Sequence, residues 1–441
     1  MSKAKGTTRK PRSAKPEREK VVLAYSGGVD TSIAIKWLQD ERNLDVIAAC
    51  IDVGQGKELG PIKKKAEKLG AIKSIVVDAK DRFCKDYLVP AIAANAKYED
   101  KYVHSTSLNR PLIAEILVEI ARKENAAFIA HGATAKGNDQ VRIEVSCRAL
   151  KPDTKIIAVA REWGMTRDEE FDYAKKYKIP LPVTKESPYS IDLAVWGKST
   201  ECGVLEDPWV EPPKDAHEWV THIEDTPDKP EYVEIGFQKG VPVSLDGKRM
   251  KMFDLIDKLN GIAAKHGVGL TDMMECRLVG IKSRETYEAP AATVILKAHQ
   301  DLESLVLNRD TLHYKVLVEQ RYSELIYDGL WFSELREHLD AFFASTQQNV
   351  TGTVRVKLFR GNSVVVGRKS PNSLYRWELA TYDTGDQFNH ADSEGFISIW
   401  GLPERVESLS GRKKGRQAKA AAKKSAPQKA AAKKSVPKKK K

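Results

Sequence analysis

From residue 21 the chain alternates short β-branched apolar runs with segments whose apolar residues recur at helical spacing, for roughly 160 residues. The pattern predicts buried strands over 21–25, 46–53, 72–78, 126–131 and 156–160, and helices over 31–39, 59–69, 80–95, 108–123 and 139–150. Such alternation makes a parallel sheet with helices on both faces, and ligands of these sheets bind beyond the carboxyl ends of the strands. The rhythm breaks over 179–213, where Pro180, Pro182, Pro188, Pro208, Pro212 and Pro213 predict turns and a crossing between domains. Ser190 and Ser199 fall in that turn-rich stretch. Beyond it the chain predicts a hairpin over 232–245 with Asp246-Gly247, a helix over 253–264, long helical material over 291–327, and a second hairpin over 350–366 with Gly361-Asn362. The fold class expected is therefore α/β, a doubly wound parallel sheet followed by an α+β domain.

The chain has 441 residues and is 41% hydrophobic, enough for two or three domains with a sizeable core. No apolar run approaches the length of about eighteen residues that a membrane span needs, so no membrane partner is expected. The net charge of +12 is unevenly spread: residues 1–20 carry +6 and residues 411–441 carry +14, which leaves 21–410 at −8. The basic character thus lives in two tails, the second with the imperfect repeat KAAAKKSAP and KAAAKKSVP. Tails of this composition have nothing to bury and are expected to be disordered. Lacking aromatics, the repeats neutralise phosphates without stacking bases, so any nucleic-acid contact through them is expected to be non-specific and steeply salt-dependent. The cysteines Cys50, Cys84, Cys147, Cys202 and Cys276 are dispersed, which argues against a disulfide framework or a zinc site and for a reducing, cytoplasmic compartment. The basic N-terminus has no apolar core of a secretory signal.

The chemistry concentrates in three strings. The first is Ala24-Tyr25-Ser26-Gly27-Gly28-Val29-Asp30-Thr31-Ser32, directly after a predicted strand and opening a helix. Adjacent glycines let the backbone turn tightly around an anion, the hydroxyls add donors, and the helix N-terminus supplies free N–H groups, which together make a phosphate cradle. It is not a Walker loop: Gly132 and Gly137 have that spacing but are followed by Asn138-Asp139, with no lysine for a γ-phosphate. The second string, YVHSTSLNRP, runs from Tyr102 to Pro111; the third, HGATAKGNDQVR, runs from His131 to Arg142.

The first string resembles the pyrophosphate loop of the ATPases that cleave ATP between the α- and β-phosphates. With the second and third it resembles the argininosuccinate synthase family over about 21–402. The resemblance implies an ATP-dependent carbon–nitrogen ligase of arginine biosynthesis that joins citrulline to aspartate through a citrullyl-adenylate. It implies ATP and Mg2+ as cofactors, with magnesium bridging phosphate oxygens and no metal site of the protein's own. Ser26, Gly27, Gly28, Asp30, Thr31 and Ser32 would hold the β- and γ-phosphates, with Ala24, Tyr25 and Ile51 beside the nucleoside and Gly132 where backbone approaches it. Thr106, Thr134, Asn138 and Asp139 are implied for aspartate. Tyr102, Ser107, Asn138, Arg142, Ser190, Ser199, Glu275 and Tyr287 are implied for citrulline, Arg142 suiting its carboxylate and Glu275 its α-ammonium. Arg110 is a candidate for charge stabilisation near the adenylate. The implied organisation is a basic tail (1–20), a nucleotide-binding domain (21–182), a synthetase and multimerisation domain (183–387), a C-terminal oligomerisation arm (388–410) of a homotetramer, and a basic tail (411–441).

Three features depart from the family's outline: Leu193-Ala194 stand where a Glu-Asn pair is common, Ala135 stands where Gly is common, and the two tails have no counterpart. The pyrophosphate loop and the tails leave a tRNA-thiolating enzyme as the alternative, although sulfur insertion usually needs paired reactive cysteines. A non-catalytic nucleic-acid binder built on the tails would leave the three strings unused.

Overall fold

The computed structural model describes residues 18–56, 59–180 and 189–411. Most of both basic tails, and the predicted turns at Pro182 and Pro188, lie outside these residues. Packing divides the chain into two compact units, one ending at Leu374 and the other starting at Tyr375.

The first half is the predicted parallel sheet, with strand order β3-β2-β1-β4-β5. Its strands are β1 (Lys20–Ala24), β2 (Asp45–Asp52), β3 (Lys73–Asp78), β4 (Phe128–His131) and β5 (Lys155–Ala158), all paired in parallel. Val21, Val22 and Leu23 of β1 are fully buried because helices cover both faces, which is why this strand reads as a continuous apolar run. The chain winds outward from β1 through β2 to β3 and then returns to the other side of β1 as β4. The order reverses between β1 and β4, the position at which sheets of this kind take their ligands in a crevice beyond the strands' carboxyl ends. The first and third strings are the loops that flank it. Helix α1 (Val29–Glu41) follows β1, helix α2 (Leu59–Lys68) follows β2, and helices Asn109–Glu124 and Asp139–Leu150 flank β4 in sequence.

Several expectations change in detail. The predicted strand 156–160 ends at Ala158, and Val159–Trp163 is helical. The helix expected over 80–95 is Lys80–Arg82, a π-helical stretch Phe83–Leu88, and Val89–Ala93. The turn-rich stretch contains a hairpin, β6 (Ser190–Ala194) and β7 (Gly197–Glu201), so Ser190 and Ser199 sit on strands rather than in turns. The first predicted hairpin is β8 (Glu231–Gln238) and β9 (Val241–Leu245), turning at Lys239-Gly240, both with positive φ; Asp246-Gly247 instead turns β9 into β10 (Lys248–Arg249). Helix Met252–Lys265 leads to β11 (Leu270–Cys276) and β12 (Lys282–Glu288), a hairpin with no counterpart in the predicted elements. The helical material of 291–327 is two helices, Pro290–Val306 and Arg309–Tyr327, the second capped by Asn308, whose side chain accepts from Thr311 N. The last hairpin is β13 (Gly352–Phe359) and β14 (Asn362–Lys369), turning at Arg360-Gly361, one residue earlier than expected.

These strands form an antiparallel sheet of order β10-β9-β8-β13-β14 and a four-stranded sheet of order β11-β12-β7-β6. Helices Met252–Lys265 and Pro290–Val306 share one apolar core with β8, β13 and the β2 side of the parallel sheet. In the second unit, helices Ala391–Trp400 and Leu402–Leu409 bury none of their residues; Phe396, Ile397, Ile399, Trp400, Leu402, Val406 and Leu409 are all exposed.

Candidate active site

The loop expected to cradle phosphate forms because β1 ends at Ala24 and the chain must reverse into α1. Tyr25 N still donates to Ala49 O across the sheet (2.8 Å), and Gly27 takes φ +78°, a conformation costly for any other residue. A Cβ at Gly27 would lie 3.1 Å from Ile62 of α2. The loop's hydroxyls are organised around the open helix end: Ser26 Oγ and Thr31 Oγ1 are 3.2 Å apart, Gly28 N donates to Ser26 Oγ, and Ser32 Oγ donates to Gly28 O (2.6 Å). Asp30 stands in the first turn of α1. Ala24 pairs with Ala49, and Ile51 is buried near the end of β2, where its carbonyl accepts from Gln55.

The third string is brought against this cradle. A Cβ on Gly132 would lie 3.3 Å from Thr31 Cγ2, so backbone at Gly132 closes on the loop. Buried His131 accepts from Ala133 N through Nδ1 and turns Nε2 toward Glu144, which Arg161 pairs at 2.9 Å; this fixes the start of the loop. Ala135 is not among the residues with positive φ and carries no backbone strain there. Thr134 is exposed, and its carbonyl accepts from Gly137 N.

Beyond Gly137 lies a second cluster. Tyr102 OH accepts from the backbone N–H groups of Thr106 and Ser107, fixing the second string, while Thr106 Oγ1 donates to Ser199 Oγ of β7. The Tyr102 ring stacks on Tyr287, their centroids 4.2 Å apart. Tyr287 OH donates to Glu275 and Glu285 at 3.2 and 2.9 Å. Asn138 donates to Tyr327 OH and accepts from Leu278 N, so it joins the parallel sheet to the β11–β12 hairpin and to helix Arg309–Tyr327. Arg142 donates to Tyr327 O through Nε and lies 4.7 Å from that ring's centroid, while one of its terminal nitrogens has no partner. Ser190 alone stands apart, exposed at the outer end of β6 and paired with Glu201.

Charge is concentrated where the clusters meet. Asp139 Oδ2 lies 2.7 Å from Arg110 and Oδ1 lies 3.0 Å from Arg142, and Arg110 also pairs with Asp192 of β6. Burial alone would push the Asp139 carboxyl up, but Arg110 and Arg142 outweigh it and hold it below the usual carboxylate range. Burial wins at Asp192 and, with the charge of Asp139, raises its carboxyl against the pull of Arg110. Buried His104, bonded to Ser107 and Ser323, is lowered to about 3 by burial and by the charge of Arg142, and so stays a neutral brace.

Sequence patterns missed Asp192, Glu201, Arg277, Glu285 and Tyr327. Arg277 pairs with Glu201 and Glu285 and donates to Lys136 O in the third string. No local motif marks any of these residues. Leu193, in the departure from the family, lines a cavity of about 520 Å³ with Gly54, Gln55, Val195, Trp219 and Asn260. Burial and neighbouring Glu275 push the Glu285 carboxyl up to about 8. A carboxyl raised above its unfolded value of about 4.3 contributes stability that is present below that value and lost as pH rises toward 8. Glu285→Gln is therefore expected to raise the melting temperature relative to the parent by about 2–3 °C more near about pH 8.5 than near about pH 5.5, read by thermal melts at both.

Similarity to known proteins decides the family. Residues 20–180 match the family model of the arginosuccinate synthase N-terminal HUP domain, and residues 189–407 match that of the arginosuccinate synthase C-terminal domain. The chain belongs to the argininosuccinate synthase family. Proteins named argininosuccinate synthase share 54% identity over 404 residues in Bacillus pumilus (92% of this chain, all of that protein) and 57% over 390 residues in Geobacillus thermodenitrificans (88% and 96%). The Symbiobacterium thermophilum protein of that name shares 54% over 398 residues (90% and 99%). The chain is thus an ATP-dependent ligase, and the thiolating alternative is not favoured. Burial also pushes the Cys84 and Cys147 thiols up to about 12, away from the thiolate state sulfur chemistry needs. Among the described residues no helix is long and apolar enough to cross a membrane.

Proposed function

We propose that the two clusters form one condensation site for citrulline and aspartate, with ATP's phosphates on the Ser26–Ser32 loop. The ureido oxygen of citrulline attacks the α-phosphorus, the bond to the bridging β-oxygen breaks, and pyrophosphate leaves. Aspartate's amine then attacks the ureido carbon, and AMP departs with the former ureido oxygen. The observation that carries this reading is the Arg110–Asp139–Arg142 chain, which links the nucleotide loops to the tyrosine–glutamate pocket. Arg142 offers an unpaired donor to a carboxylate, and buried Glu275 offers an acceptor to an ammonium. Asp139 and Asn138, with Thr106 and Thr134, stand for aspartate; Tyr102, Ser107, Ser199 and Tyr287 stand for citrulline, with Ser190 the weakest member given its outward position. Pyrophosphate release from Mg-ATP tests the reading: it should require citrulline and aspartate together for turnover, and release that ignores citrulline would refute it.

Magnesium fits as a substrate-borne ion. Among the described residues no three His, Cys, Asp or Glu side chains gather to hold a metal, whereas Asp30 and the loop hydroxyls suit an ion already carried by phosphates. Bound there, it would neutralise charge on the leaving pyrophosphate.

We also propose a nucleotide-binding domain over 21–182, a synthetase domain over 183–387 and an oligomerisation arm over 388–410. The bare apolar faces of helices Ala391–Trp400 and Leu402–Leu409 support a homotetramer in which other copies of the chain cover them. A cytoplasmic location and non-specific nucleic-acid contact by the tails complete the reading. Deleting 1–18 and 412–441 is expected to leave kcat within about threefold of the parent, while deletion from 388 onward reduces the assembly's mass by sedimentation. A hundredfold loss of kcat on trimming the tails alone would make them part of the catalytic body.

A further inference from the structure

We propose that Lys65 of α2 is the cation of the phosphate site, contacting the terminal phosphates of ATP and the pyrophosphate that leaves. The inference rests on the reading of the Ser26–Ser32 loop as the pyrophosphate cradle. That loop contains no lysine of its own, so a cation for it must come from elsewhere in the fold. Helix α2 lies on the loop: Ile62 meets Gly27 where a Cβ would stand, and Lys65, almost one turn on, sends Nζ to Gly27 O at 2.9 Å. Glycine at 27 therefore serves two ends, the reversal of the chain and the close approach of α2.

Among the described residues, other cations held near the ends of these strands pair with carboxylates. Lys80 pairs with Asp52 and Asp78, Arg161 with Glu144, and Arg110 with Asp139 and Asp192. Lys136 of the third string is exposed and keeps its hydration. Lys65 differs from all of these: it is half-buried and, among the described residues, bonds one neutral carbonyl and pairs with no carboxylate. Burial accordingly lowers its ammonium's pKa. A partly desolvated cation with only a dipole for company is a cost to the free protein, and an anion arriving in the cradle would offset it. Lys64 and Lys68 join Lys65, Gly60, Pro61 and Pro180 around a cleft of about 490 Å³, extending the positive rim. When the α-phosphorus bond to the bridging oxygen breaks, the electron pair moves onto the β-phosphate. Nζ of Lys65 is placed to meet charge that grows in that step.

The test uses Lys65→Met and Lys65→Arg in the full chain, read by citrulline-dependent ATP–pyrophosphate exchange. Lys65→Met is expected to raise the KM for pyrophosphate by about thirtyfold or more and to lower kcat/KM for ATP by about a hundredfold. The KM for citrulline and the melting temperature stay near the parent's, and Lys65→Arg recovers to within about tenfold. A pyrophosphate KM within about threefold of the parent's would overturn the proposal, as would equal losses for every substrate. Should the parent itself show no citrulline-dependent exchange, the reading of the reaction fails instead. Calorimetric binding of Mg-pyrophosphate to parent and Lys65→Met then decides Lys65 alone, with equal affinities refuting it.

Discussion

Asp139→Ala eliminates argininosuccinate formation, lowering kcat/KM by about a thousandfold or more, while citrulline-dependent ATP–pyrophosphate exchange survives at roughly a tenth of the parent rate. Asp139 opens the helix Asp139–Leu150 and accepts from both Arg110 and Arg142. Without its charge, Arg110 keeps Asp192 and Arg142 keeps the carbonyl of Tyr327, so both arginines stay near their places. Citrulline can still be held for adenylation, which is the half-reaction that exchange reports. The ammonium of aspartate loses its acceptor, and the second half-reaction stops. Equal loss of exchange and condensation would move Asp139 to the citrulline or nucleotide side of the site.

Arg110→Met produces the second large effect, on stability as well as rate. It leaves Asp139 and Asp192, each 34% exposed, beside one another without their shared cation, a change expected to cost about 1–3 kcal/mol, less than the loss of a fully buried pair. The sign follows from both carboxyls. Asp139, held low, stabilises the fold above the ordinary carboxylate pKa, and that contribution shrinks when Arg110 goes. Asp192, already raised, is pushed higher, so stability is lost progressively as pH rises through its titration. The variant is therefore most destabilised near about pH 8 and recovers as pH falls toward about 5, where the raised carboxyl takes up a proton. Adding Asp192→Asn should restore much of the melting temperature and little of the rate, because on the proposed reading Arg110 also serves the reacting phosphate. Recovery of both would reduce Arg110 to a structural brace.

What the sequence made legible is local. Strand, glycine turn and helix follow one another without interruption at Ala24–Ser32 and at His131–Arg142, so the build of both loops and their place at the carboxyl ends of the strands could be read from adjacent residues. The strands that supply the remaining side chains could not. β7 (GKSTE) is polar in sequence yet buried from Gly197 to Thr200, and β12 (KSRETYE) is buried from Thr286 to Glu288, where it pairs with β7. Hydropathy reads such strands as loop. None of the prolines that marked 179–213 as a crossing falls within β6 or β7, so they do not break the hairpin. The turns at Lys239-Gly240 and Arg360-Gly361 were displaced because the residue before each glycine also takes positive φ, a geometry no propensity assigns to Lys or Arg. Lys65 and Tyr327 illustrate the remaining limit: each meets the site through packing between distant elements.

Citrulline labelled with oxygen-18 at the ureido position tests the central claim most directly. If the ureido oxygen attacks the α-phosphorus, the label appears in the phosphate of AMP, one atom per argininosuccinate formed, and in neither pyrophosphate nor water. Label in pyrophosphate, or release of unlabelled AMP at the full rate, would contradict the adenylate route and with it the placement of citrulline beside the cradle.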